Sequence, residues 1–164
     1  VIHTLLHQDH CENDFKCRNA LFYVHEKEIE TIRAYHPLDF RYVEDFILDA
    51  EENGQIIRVT EDQDLLPGIR VVHTPAHTPG GLSVVVDTPG GKAVITGFCT
   101  IFENLFPPRK ILGMGMEVIP PGTHVNAYEA YDILLRTRDL GDYVLPLHEP
   151  KFATIETIDG PVAP

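Results

Sequence analysis

Tryptophan is absent from this chain of 164 residues, and cysteine and methionine are scarce, at three and two. An odd cysteine count does not make a closed disulfide framework, and Cys11 and Cys17 are too isolated to form a zinc knuckle. A reducing, cytoplasmic setting is the expectation. No apolar run approaches the ~20 residues that cross a bilayer, so no membrane partner is expected. Positive charge is also short. Thirteen basic residues face 25 acidic ones, giving a formal net charge of −12 and no basic stripe. Nucleic acid is therefore excluded as a primary partner, and the acidity serves solubility. There is no starting methionine, basic n-region, internal repeat or low-complexity tract.

What is present suits one domain over residues 1–164. The apolar fraction is an ordinary 43%, and the length allows a sizeable core. Short apolar strands alternate with helical stretches, which indicates α/β layering. Val1–Leu5 reads as a buried strand, Cys11–Cys17 as a short helix or turn, and Ala20–His25 as a strand. Lys27–Ala34 and Phe40–Glu52 read as helices, the second amphipathic and stopped by Asn53-Gly54. Ile56–Val59 and Ile69–His73 are strands separated by an acidic turn. Leu82–Val86 and Ala93–Thr96 form a hairpin about Thr88-Pro89-Gly90-Gly91. Phe106 to Gly122 is a long irregular stretch of the kind that forms lids or rims. Asn126–Arg138 is a helix, and Tyr143–Leu147 is a last strand that delivers His148.

Chemistry concentrates in His7-Gln8-Asp9-His10 and two distant histidines. One is His77, in Thr74-Pro75-Ala76-His77-Thr78-Pro79-Gly80-Gly81. The other is His148, in Val144-Leu145-Pro146-Leu147-His148-Glu149-Pro150. Imidazole with carboxylate suits a borderline divalent ion such as zinc. A local cluster closed by distant single ligands lets an ion tie separate loops together. The Thr-Pro steps around His77 hold the backbone extended, and Gly80-Gly81 permits a tight turn or close approach.

These motifs, in this order, resemble the metallo-β-lactamase superfamily of metal-dependent hydrolases, nearest its lactonase-like and glyoxalase-II-like branches. Residues 1 to about 155 carry the resemblance. It implies an αββα sandwich of mixed sheets with flanking helices. Val1-Ile2-His3-Thr4-Leu5 reads as the middle of a strand, so the expectation is a partial domain that lacks most of the strand-rich half before the first metal motif. An uncovered edge there invites a homodimer. The metal-site candidates are His7, Asp9, His10, His77 and His148. The resemblance places Leu5, His7 and His77 at one metal position and Asp9, His10 and His148 at a second. Leu5 stands where the family has a first histidine, and Phe98, after Ile95-Thr96-Gly97, where it has a bridging aspartate. Cys99 is a candidate substitute if a bulge at Gly97 turns its sulfur inward, against the commoner role of a small buried residue.

One ion is therefore expected rather than two. Zinc leads, with iron or manganese as alternatives. The resemblance implies a hydrolase that attacks an ester, lactone, thioester or amide carbonyl with hydroxide generated at the ion. Asp9 is the expected catalytic group, both ligating and orienting that hydroxide. The partner is then a small-molecule substrate, with residues 98–116 as an apolar rim. The alternative is a degenerate member that acts as a binding or scaffold domain.

Overall fold

In the computed structural model, which describes residues 1–158, alternation of side chains along the strands assigns every layer. Strands β1 (Phe22–His25) and β2 (Ile56–Val59) pair in parallel. Strands β3 (Gln63–Leu66), β4 (Ile69–His73), β5 (Leu82–Thr88), β6 (Gly91–Ile95) and β7 (Tyr143–Leu145) make a five-stranded sheet in that order. Its pairings are antiparallel except β6–β7, which is parallel. A parallel pair needs a crossover. Three helices lie within it: α4 (Phe102–Leu105), α5 (Arg109–Leu112) and α6 (Ala127–Arg138), following α1 (Gln8–Cys11), α2 (Glu26–Arg33) and α3 (Asp45–Glu52).

Successive strand residues face opposite sides of a sheet. Val72, Val85, Val94 and Val144 pack with Ala130 and Leu134 of α6. Val71, Leu82 and Val84 point the other way, and pack with Val59, Ile2 and Tyr23. Helices α2 and α3 cover the outer side of β1 through Ile29, Ile32, Ile47 and Ala50 against Phe22 and Val24. The layers run helix, two-stranded sheet, five-stranded sheet, helix. This is the αββα arrangement expected from the sequence.

Several boundaries differ from the expectation, each for a local reason. Val1–Leu5 is not a full strand; it makes a single parallel bridge, Ile2 to Tyr23. The acidic turn before Pro67 contains β3, an edge strand with an irregular register. Helix α3 starts at Asp45 rather than Phe40, because the backbone at Arg41 and Tyr42 pairs with Gln8 and His7. The helix expected after His10 begins before it: α1 contains Asp9 and His10, and a 3-10 turn follows at Asp14–Lys16. Within the stretch expected to be irregular, α5 forms after Pro108. Helix α6 is capped by Asn126, whose side chain accepts from the Tyr128 and Glu129 amides.

Two glycines are fixed by close approach. A Cβ at Gly97 would lie 1.5 Å from the Leu82 carbonyl oxygen, and one at Gly80 would lie 2.6 Å from the Glu28 amide nitrogen. The first lets the chain cross β5 after β6. The second seats the His77 turn directly on α2.

Candidate metal centre

His7 is the extended N-cap of α1, and Asp9 and His10 lie on the helix itself. A helical step turns ~100° per residue, so these side chains leave the backbone in different directions from that of His7. The distant histidines close the arrangement in two groups. His7 and His77 meet edge to face with ring centroids 4.9 Å apart. His10 and His148 lie 6.1 Å apart.

The second group has the form of a metal site. One ligand atom each from Asp9, His10 and His148 lie within 4.8 Å of one another, the sole such group among the described residues. Asp9 Oδ2 is 3.5 Å from His10 Nε2 and 3.8 Å from His148 Nε2. His10 Nδ1 hydrogen-bonds the Thr4 hydroxyl at 3.0 Å. That bond fixes the ring and leaves Nε2 toward the shared point, as an outer partner of a metal ligand does. Burial lowers the His10 pKa from 6.5 to about 4, opposed by Asp9, so the ring is neutral and able to ligate at pH 7. A carboxylate and two imidazoles with an open position fit a catalytic divalent ion.

The first group is built differently. His77 Nδ1 donates to the Thr123 carbonyl at 2.9 Å, which makes Nε2 its lone-pair nitrogen. That nitrogen accepts from Arg41 Nη1 at 3.4 Å. Asp39 accepts from His7 Nε2, its two oxygens at 3.1 and 3.2 Å. Asp39 Oδ1 also accepts from Arg41 Nε at 2.8 Å. Burial lowers the His7 pKa to about 4 against the raising effect of Asp39, and burial lowers that of His77 as well. Leu5 is fully buried, and Phe98 is fully buried in the core beneath α6. Neither completes a ligand set. Cys99 is exposed rather than buried and lies outside the ligand group.

A buried carboxylate holds the first group from below. Glu28 Oε2 accepts from the Leu6 amide at 2.9 Å and the Tyr42 hydroxyl at 3.0 Å, and Oε1 accepts from the Gly80 amide at 2.9 Å. It therefore ties the residue before His7 to the turn after His77. Burial pushes its carboxyl up, and these donors pull it down. The Tyr42 ring packs against His7 at 4.6 Å. Neither Glu28 nor the Asp39–Arg41 pair stood out in the sequence. The available signal was the alternation Leu38-Asp39-Phe40-Arg41: Leu38 and Phe40 are 82% and 73% exposed, whereas Asp39 and Arg41 turn inward.

The remaining histidines are engaged elsewhere. His3 contacts Asp14 at 2.7 Å, His73 stacks on His25 at 4.1 Å, and His36 Nδ1 accepts from the Leu38 amide. Of the expected apolar rim, Ile101, Phe106, Leu112 and Met114 are exposed, while Phe98 and Phe102 belong to the core. A groove of about 580 Å³ opens beside His10, lined by Ile2, Tyr23, Leu66, Val84, Val86 and Leu147 among others.

No family model matches the chain. It is 27% identical over 149 residues to a probable metallo-hydrolase of Methanocaldococcus jannaschii, covering 91% of this chain and 56% of that protein. Against an N-acyl homoserine lactonase of a Bacillus species it is 33% identical over 95 residues, covering 58% of this chain and 35% of the other. The crystal structure of Bacillus thuringiensis AiiA with N-decanoyl-L-homoserine at its active site superposes with a TM-score of 0.70. The sequence identity is 19%, with 93% of this chain and 56% of that one covered. Further solved structures of the β-lactamase superfamily match with a TM-score of 0.59. The chain has the metallo-β-lactamase fold. It spans about half the length, or less, of the curated metallo-β-lactamase-fold relatives that it matches. Among its described residues no helix is long and apolar enough to cross a membrane.

Proposed function

We propose that this chain carries the ion-binding part of a metal-dependent hydrolase that opens lactones or related acyl esters, with one divalent ion, zinc first, held by Asp9, His10 and His148. The observation that carries the reading is the convergence of those three ligand atoms within 4.8 Å, with the His10 ring fixed by Thr4. When bound, such an ion supplies Lewis acidity and activates water near neutral pH.

The chain's own residues supply the rest. Asp9 is half exposed, at 53% of its side chain. One of its oxygens serves the ion and the other is free to accept a proton from attacking water and to orient it. His10 and His148 would supply the two imidazole ligands. Exposed Leu38 and Phe40, on the loop that enters the site, offer apolar surface to an acyl chain. The lactonase relative and the acyl-homoserine ligand of the AiiA structure favour a lactone with an acyl tail.

The test is hydrolysis of N-decanoyl-L-homoserine lactone by zinc-loaded protein. The expected result is turnover that chelator abolishes, that zinc restores, and that Asp9→Asn or His148→Ala removes. Metal retention without turnover on lactones, thioesters and simple esters would leave a binding domain as the better reading.

A further inference from the structure

The first histidine pair contains a feature that a metal site does not need. His7 and His77 lie in contact, but no third ligand joins them in a metal-binding group among the described residues. A guanidinium stands there instead. Arg41 donates Nη1–H to the lone pair of His77 Nε2 at 3.4 Å. It also grips Asp39 Oδ1 through Nε and Nη2, and Asp39 in turn accepts from His7. The chain His7–Asp39–Arg41–His77 is closed, and about three-quarters of each of the two charged side chains is shielded from solvent.

We infer that Arg41 is an acyl-oxygen-binding residue that takes the place of an ion between His7 and His77. It presents its free N–H groups to the carboxylate or ester oxygens of the substrate. The donor count supports this. Guanidinium has five N–H donors in a planar fork. Asp39 uses two and His77 one, so two remain, on Nη1 and Nη2. An adjacent N–H pair on a guanidinium matches the two oxygens of a carboxyl group. Asp39 fixes the plane and His77 fixes the edge, so little rotamer freedom is left to lose on binding.

The position relative to the ion site also fits. Arg41 bonds His77, and Asp39 bonds His7, the N-cap of the helix that carries Asp9 and His10. The guanidinium is therefore anchored, through Asp39 and His7, to the same short run of chain as two of the three ion-binding residues. This inference rests on the hydrolase reading only for the identity of the acyl compound. The anion-binding role stands on the geometry of the cluster.

The experiment is titration of the zinc-loaded 164-residue chain with hexanoate and with hexanamide by calorimetry, alongside elemental analysis. Wild type is expected to hold one zinc and to bind hexanoate at least tenfold more tightly than does Arg41→Gln. Arg41→Lys should recover part of the loss, because a point ammonium cannot offer the paired donors. The pair variant Asp39→Asn/Arg41→Gln keeps the net charge and should show the same loss, which separates donor geometry from charge alone. Hexanamide should respond weakly to all of these changes. Two retained zinc equivalents in wild type, or unchanged hexanoate affinity in both glutamine variants, would overturn the inference. Loss of lactone turnover with the Arg41-dependent hexanoate binding intact would count against the hydrolase reading alone.

Discussion

The two histidine pairs differ in what surrounds them more than in what they contain. His7 and His77 are nearly sealed, with 1% and 5% exposure. Every polar atom named there has a protein partner: Asp39, Arg41 or the Thr123 carbonyl. The ion-binding group is more open, with His148 40% exposed beside a half-exposed Asp9 and His10 10% exposed. In that network both ring nitrogens of His77 and Nε2 of His7 are engaged by protein groups, which leaves only His7 Nδ1 with a lone pair to offer. In the open group Asp9, His10 and His148 each present a ligand atom to one point. Ligand-type residues alone therefore do not define a metal position; unshared lone pairs converging on one point do.

The strongest way to break the contrast is to remove what holds the closed side. Glu28→Ala would leave the Leu6 and Gly80 amides and the Tyr42 hydroxyl without their buried acceptor. At ~1–3 kcal/mol for each orphaned group, the expected loss is about 4 kcal/mol, read from urea denaturation of the metal-free protein. An effect below about 1 kcal/mol would show that the two loops are held by packing instead.

On the open side, Asp9→Ala and His148→Ala each delete one of three ligands. Zinc affinity should fall by more than the ~10–100-fold of an outer-partner change, measured by competition with a chromophoric chelator. His7→Ala should cost much less zinc affinity, because its pair lies outside the ligand group. Equal losses from His7→Ala and His148→Ala would erase the distinction between the two groups.

Acid should weaken both sides together. Burial holds the His7 and His10 pKa values near 4 instead of 6.5. The unfolded chain takes up protons in that window and the folded chain does not. The stabilisation from neutral His7 and His10 is therefore complete above pH 6.5 and is lost as pH falls from 6.5 toward 4. For the metal-free protein the expected loss by pH 4.5 is about 2–3 kcal/mol for each ring, followed by the urea midpoint between pH 7 and 4.5. A midpoint that rises on acidification would mean that one of these rings is protonated in the folded state.

The smallest effect sharpens the comparison. Thr4→Val removes the hydrogen bond to His10 Nδ1 and keeps the shape. Zinc affinity should drop ~10-fold with little change in stability, whereas a fall in stability with zinc affinity intact would make Thr4 a structural residue only.

The motif histidines and Asp9 were legible because each sits in a local context that shows in one dimension: His7 to His10 in one run, His77 between two Thr-Pro steps, and His148 after a strand ending in Pro. The strands Ile56–Val59 and Ile69–His73 were legible for the same reason, and so was α6, since alternation and helical spacing are short-range patterns. Strand β3 was hidden because Glu61, Asp62 and Asp64, before and within it, read as a turn and its pairing with β4 is an edge contact. Asp39 and Arg41 were hidden because nothing nearby in sequence says that they meet His7 and His77, 32 and 36 residues away. The sequence by itself determined which side chains could ligate and the layered α/β pattern. Only the tertiary structure decided that one histidine pair is closed by an ion-paired guanidinium and the other left open. Burial and hydrogen-bond satisfaction depend on which distant segments pack together, and that is settled only when the layers close.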